Sequence, residues 1–229
     1  MRATFFISDL HLDIARADIQ RAFARFLHDI RHCDALYILG DLFEAWVGDD
    51  DDAELATETG RLLRQFSDAG PALYLLQGNR DFLLGAEFCS RAGASLLPDP
   101  SRIDLYGMPT LLLHGDSLCT RDAPYQAFRS LSRTPRWRAD VLAKSLAERR
   151  ALAREMRRIS HEAQSNQPED IVDVTPAEVH RVMAEHGVQQ LIHGHTHRPA
   201  CHAEPGGLRW VLGAWDASAL VLRASPEGN

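Results

Sequence analysis

The sequence predicts an α/β fold with its chemistry gathered along one sheet rim, and three observations predict it. Short apolar runs of strand length alternate with amphipathic helical patterns through the first two-thirds of the chain. Along the whole chain five such runs end in a cluster of Asp, Asn or His. Open α/β sheets place their sites beyond the carboxyl ends of the strands, so five such endings can converge.

Taken in order, Thr4–Ile7 runs into Asp9-Leu10-His11, and Ile19, Phe23, Phe26, Leu27 and Ile30 then recur at helical spacing. Leu36–Leu39 ends in Gly40-Asp41. Asp52 is placed to cap a second helix, which Gly70-Pro71 stops. Leu73–Leu76 leads into Gly78-Asn79-Arg80-Asp81, and a short helix follows as far as Gly93. Strand patterns at 94–97, 102–105 and 110–113 come next, the last running into His114-Gly115-Asp116. From Pro124 to about Gln164 the pattern is almost continuous helix. A helix led by Pro176 stops at Gly187, and Gln189–Ile192 then opens onto His193-Gly194-His195-Thr196-His197. Strand patterns at 208–212 and 218–222 precede a tail, 225–229, expected to be disordered. The organisation is one domain over residues 1–229 with a helical insertion at about 123–168.

At 229 residues and 45% hydrophobic composition, the chain can bury a core without disulfides or structural zinc. Its four cysteines form no C-x-x-C pair, which suits a reducing compartment. The apolar stretch before Asp9 is too short for a secretory signal, and no window approaches the ~20 apolar residues of a membrane span. A cytoplasmic location is expected. Phosphate-binding P-loop, G-x-S-x-G and G-x-G-x-x-G motifs are missing, which argues against NTPase, serine hydrolase and dinucleotide-binding readings. Ten basic residues stand against three acidic ones between Arg129 and Arg158, inside a chain of net charge −7. Such a block suggests a local anionic partner and no nucleic acid.

The clusters supply oxygen and imidazole donors. Asp9 and His11 can chelate one cation if the strand geometry breaks between them, and Asp41 has two oxygens with which to bridge two cations. Asn79 adds a neutral oxygen, while His114, His195 and His197 complete a set that suits manganese, iron or zinc better than calcium. A pair of metals ~3.5–4 Å apart is a device for phosphoester hydrolysis. Arg80 can offer the same phosphate a planar fork of donors. The run Asp49–Asp52 lacks EF-hand spacing and reads as a solvated loop. His193, Asp81 and Asp116 are placed to orient a ligand or Arg80 from behind.

Asp9-x-His11, Gly40-Asp41, Gly78-Asn79-Arg80-Asp81, His114-Gly115-Asp116 and Gly194-His195-Thr196-His197 together resemble the calcineurin-like metallophosphoesterase signature. The resemblance implies an α/β/β/α sandwich with a helical cap insertion. It implies Asp9, His11, Asp41 and His197 on one metal, with Asn79, His114 and His195 on the other and Asp41 shared. Arg80 stands where most of that superfamily has His. With the longer blocks 35–50, 78–85, 114–120, 125–128, 191–199 and 213–215, it resembles the subgroup that cleaves a UDP-linked diacylated glucosamine lipid in lipid A biosynthesis. That likeness implies two manganese ions and action at the cytoplasmic face of the inner membrane. It also implies substrate contacts at Asn79, Arg80, Asp122, Ser160 and His195. Gln164 and Gln167 fall where the subgroup has Asn and Lys, so Gln167 lacks the charge of the residue it replaces.

The insertion carries Tyr125, Phe128, Leu131, Trp137, Val141, Leu142, Leu146, Leu152, Met156 and Ile159 among its arginines. It reads as a bundle docked on the core, or as a cap that takes acyl chains and faces an anionic inner-membrane surface through residues such as Arg157 and Arg158. Another phosphoesterase activity, or a non-enzymatic module on the same fold, would be marked by different substrate preference or by an incomplete ligand set.

Overall fold

Two five-stranded sheets face each other in a computed structural model that describes residues 3–166, 171, 173–216 and 218–227, excepting the side chains of 161–166. The first sheet has β1 (Thr4–Ile7), β2 (Ala35–Leu39), β3 (Ala72–Leu76) and β4 (Ser95–Leu96) in parallel, with β10 (Leu222–Ala224) antiparallel beside β1. The second runs in the order β5 (Ser101–Leu105), β6 (Met108–Leu112), β7 (Gln190–His193), β9 (Gly207–Val211) and β8 (Ala200–Glu204). In it β6, β7 and β9 are parallel and both edge strands antiparallel.

The period-2 alternation of the strands decides the layers. Phe6, Leu39, Leu76, Leu112 and Ile192 meet between the sheets, where Phe6 and Tyr37 stack with centroids 5.1 Å apart. The alternate residues, Ile7, Leu36, Ile38, Leu73 and Leu75, pack outward against α1 (Ala17–Asp29), α2 (Glu54–Asp68) and α3 (Ala86–Ala92) through Phe23, Leu63 and Phe88. Leu111, Leu113 and Leu191 pack against Val179, Val182 and Met183 of α7 (Pro176–Glu185). The result is the expected α/β/β/α layering.

The helical stretch is broken into α4 (Ala123–Ser132), α5 (Pro135–Leu142) and α6 (Leu146–Asn166), where one near-continuous helix was expected. Each break has a local cause. Asp122 Oδ1 accepts from Tyr125 N at 3.1 Å, and Thr134 Oγ1 accepts from Trp137 N at 3.3 Å, each beside a first-turn proline. Ser145 and Glu148 exchange bonds as a capping box, Ser145 N donating to Glu148 Oε2 at 2.9 Å. Phe82, Phe128 and Trp137 form an aromatic cluster that docks these helices on the core.

Four other expectations are corrected. Asp52 does not cap α2, whose N-cap is Ala53; it pairs with Arg150 instead. The loop at 49–52 is not simply solvated: Asp49 accepts from Gly85 N and Phe88 N at the start of α3, and Asp50 and Asp51 pair with Arg149 and Arg150. β8 carries no apolar alternation, and pairing to β9 alone makes it a strand; the last strand falls at 222–224. Ser225 is buried, so order extends past that strand.

Leu112 is fully buried between the sheets. Leu112→Ala is expected to lower unfolding free energy by about 2–5 kcal/mol in urea denaturation.

Candidate metal centre

The parallel strands β1, β2, β3, β6 and β7 all deliver side chains to one rim. Past the strand ends, pairing continues through Asp9 N to Gly40 O at 3.1 Å, His11 N to Asp41 O at 3.0 Å and Gly194 N to His114 O at 2.8 Å. The chain there bends sharply. Asp9, His11, Asp41, His195 and His197 all take positive φ, between 48° and 69°. The only other non-glycine residue in that region among the described residues is Tyr106. The break in strand geometry that chelation by Asp9 and His11 requires is therefore present.

Two groups of donors result. In the first, His11 Nε2 lies 3.3 Å from His197 Nε2, which lies 3.4 Å from Asp9 Oδ1. Asp41 Oδ2 is 3.8 Å from His11 Nε2. In the second, Asn79 Oδ1 is 2.8 Å from both His114 Nε2 and His195 Nδ1, and Asp41 Oδ1 is 3.7 Å from His114 Nε2. Asp41 thus faces both groups, and Asp9 and Asp41 also cluster with His114.

Buried neighbours set this geometry. Asp9 Oδ2 accepts from Ser8 Oγ and from His195 N. Asp81 holds the second and third loops together, accepting from Gly78 N at 2.7 Å, Leu42 N at 2.8 Å and Asp41 N at 3.3 Å. Its bonds go to the loop backbone and not to the Arg80 side chain. His114 Nδ1 donates to Leu39 O at 2.9 Å, which turns Nε2 toward the centre. Asp116 accepts from Tyr125 Oη and Arg129 Nε, tying α4 beneath His195, whose ring stacks on Tyr125. Sequence reasoning missed Glu44 and Asp99. Glu44 Oε2 sits 2.9 Å from His11 Nδ1, off its N–H axis, and Glu44 Oε1 pairs with Arg157. Asp99 accepts from His114 N. Neither lies in a motif, and only the tertiary fold brings them here.

Electrostatics in the metal-free protein are strained. Burial opposes the charge on Asp9, yet His197, His114 and His11 hold its carboxyl well below the usual range. Burial likewise works against His114, but Asp41, Asp9 and Asp116 outweigh it and push its pKa up to about 9. Burial, then the His114 charge, drives His195 down to about 4.

A divalent cation fits this donor set. Asp9 Oδ1 is buried with no hydrogen-bond donor among the described residues, and the two Nε2 atoms of His11 and His197 point at each other. A cation answers both features at once, since it accepts lone pairs from all three atoms.

The model of the calcineurin-like phosphoesterase family matches residues 4–199. The chain belongs to that family. Among curated relatives, the phosphoesterase is 52% identical to the UDP-2,3-diacylglucosamine hydrolase of Cellvibrio japonicus over 98% of this chain and 96% of that one. Against the UDP-2,3-diacylglucosamine hydrolase of Pseudomonas aeruginosa it is 50% identical, over 99% and 97%. An archaeal phosphodiesterase shares the fold, with a TM-score of 0.51 at 10% identity, covering 98% of this chain and 94% of that one.

Beside the phosphoesterase's donor set lies a cavity of about 420 Å³. Asn79, Arg80, Asp122, Ser160 and His195 all line it. Arg80 makes no salt bridge within 4 Å among the described residues; its charge is near enough to Glu44 to help lower that carboxyl's pKa, and its guanidinium faces the cavity. Phe128, Trp137, Val141, Leu152, Met156 and Ile159 wall the cavity on the helical side, facing Trp46, Val47, Phe82 and Leu83. Gln167 and the side chain of Gln164 lie outside the described residues. Of the two arginines expected to face outward, Arg157 lines the cavity and pairs with Glu44, while Arg158 is exposed and pairs with Glu155 one turn away on the same helix.

The proton on His114 must leave when a cation takes Nε2. Manganese titrated calorimetrically into metal-free protein near neutral pH, in buffers of different ionisation enthalpy, is expected to release protons. The release should shrink as pH rises through about 9, where metal-free His114 is already neutral.

Proposed function

We propose that the chain hydrolyses the diphosphate bond of UDP-2,3-diacylglucosamine, giving UMP and 2,3-diacylglucosamine 1-phosphate in lipid A biosynthesis. One observation carries this reading: a single cavity joins an apolar wall to a phosphate-binding rim. The wall is built from α4, α5, α6 and the loops facing them, and the rim from Asn79, Arg80 and His195. The full-length similarity to UDP-2,3-diacylglucosamine hydrolases supports it.

In this reading Asp9, His11, Asp41 and His197 hold one divalent cation, and Asn79, His114 and His195 hold another, with Asp41 common to both. Manganese suits the mixed imidazole and carboxylate donors. When bound, the cations supply Lewis-acid polarisation of the phosphoryl oxygens and an activated water. Arg80 donates its fork of N–H groups to the same phosphoryl oxygens and neutralises charge as the leaving group departs. Asp122 and Ser160, both lining the cavity, take the polar part of the substrate. Helices α4 to α6 act as a cap over residues 123–168, and their apolar wall receives acyl chain.

The chain also associates peripherally with an anionic inner-membrane surface on its cytoplasmic side. Among the described residues no helix is long and apolar enough to cross a membrane. Leu131, on α4, is 56% exposed and Leu142, on α5, is 40% exposed, with exposed Lys144 and Arg154 on the same insertion.

Purified protein with manganese and UDP-2,3-diacylglucosamine is expected to release UMP. Asp9→Ala and His114→Ala should each cut turnover by more than the ~10–100-fold that loss of an outer partner of a metal ligand costs. Wild-type rates in either variant would remove the two-metal reading. Leu131→Glu with Leu142→Glu is expected to lower co-sedimentation with anionic lipid vesicles several-fold while UMP release from detergent-dispersed substrate persists. Undiminished sedimentation would remove this surface from the membrane contact.

A further inference from the structure

Behind the loop that carries His195 and His197 runs a buried polar chain that the reaction does not itself require. Arg209, on β9, is 9% exposed and donates from Nη1 to His193 Nε2 at 3.2 Å. Its Nε donates to Glu204 Oε1, on β8, at 2.7 Å. His193 is fully buried, and its Nδ1 lies 2.9 Å from Gly194 O.

The partners leave no choice of tautomer. A guanidinium only donates, so Nε2 of His193 must accept; a carbonyl oxygen only accepts, so Nδ1 must carry the proton. The opposite tautomer would set two donors head to head at Arg209 and two lone pairs head to head at Gly194. The carbonyl of Gly194 also accepts from Thr196 N at 2.8 Å, so it shapes the turn between His195 and His197. Both of those residues hold positive φ, at 69° and 55°. Glycine at 115 makes room for this contact, since a Cβ there would lie 2.8 Å from His193 Nδ1 and 2.9 Å from Gly194 O.

We infer that Arg209 is a positioning residue for the His195–His197 loop, acting through the ring orientation and tautomer of His193. Glu204 aims Arg209, Arg209 fixes His193, and His193 holds the Gly194 carbonyl from which the strained turn is hung. The inference rests on the reading of His195 and His197 as metal ligands. Arg209 touches neither of them.

Two measurements test it. Long-range ¹H–¹⁵N correlation spectra of the metal-free wild-type protein are expected to show His193 with its proton on Nδ1 and a hydrogen-bonded, unprotonated Nε2. A proton on Nε2 would overturn the inference without any variant. In calorimetric titration with manganese, Arg209→Met is expected to bind ~10-fold or more weaker, within the ~10–100-fold range for such outer partners, and to show mixed His193 tautomers. Arg209→Lys, which can still donate to Nε2, should recover most of the affinity and the single tautomer. Wild-type affinity in Arg209→Met removes the role of Arg209 alone, whereas a wild-type protein that binds no manganese removes the metal reading with it. If Arg209→Met does not fold, the wild-type spectrum and Arg209→Lys decide.

Discussion

Asp9 is fully buried, with Ser8 and His195 on one carboxylate oxygen, Trp215 N on its main-chain oxygen, and the other carboxylate oxygen left without a donor among the described residues. A carboxylate in that position is costly unless positive charge stands beside it. The surroundings respond to that demand. Three histidines lie close enough to lower its pKa, and one of them, His114, is forced to keep a proton that a free imidazole would lose near neutrality. The rim is therefore a place where positive charge is favoured. Its loops are held by backbone bonds to other carboxylates, the fully buried Asp81 and the partly buried Asp99, so the protein's own contacts fix the arrangement.

A second set of charges fixes the helices over the cavity. Arg133 donates to Gly78 O and lies 4.3 Å above the Phe82 ring, while Arg149 donates to Val47 O and pairs with Asp50. Arg129 joins Asp116 to Asp99, and Arg157 joins Glu44 to Asp13. Much of the basic block thus neutralises acids of the core, which leaves residues such as Lys144 and Arg154 exposed. Charge counted along the sequence overstated what is left for a membrane, because pairing across a hundred residues is invisible in one dimension.

The fold's layers were legible because strand alternation and ligand endings are local signals. Leu36–Leu39 followed by Gly40-Asp41 carries its whole meaning in six residues. The helix boundaries at Thr134-Pro135 and Ser145–Glu148 were equally local and were overlooked under a strong apolar periodicity. β8 could not be read, since its five residues become a strand only by pairing with β9. Glu44, Asp99 and Arg209 were out of reach for a similar reason. Each matters through a contact with a residue far away in sequence, and none has a spacing that points to its partner.

Asp9, His11, Asp41 and Asn79 come from the first sheet, and His114, His195 and His197 from the second. Between the rim and the Tyr106 hydroxyl, which bonds Thr4 and Asp34 at the opposite end, the two sheets meet mainly through apolar side chains, a contact that resists separation but tolerates sliding. Cations gripped from both sides would act as rivets at one end of the sandwich. Removing them would then loosen more than the reaction centre, because shear between the layers would lose its stop at the rim.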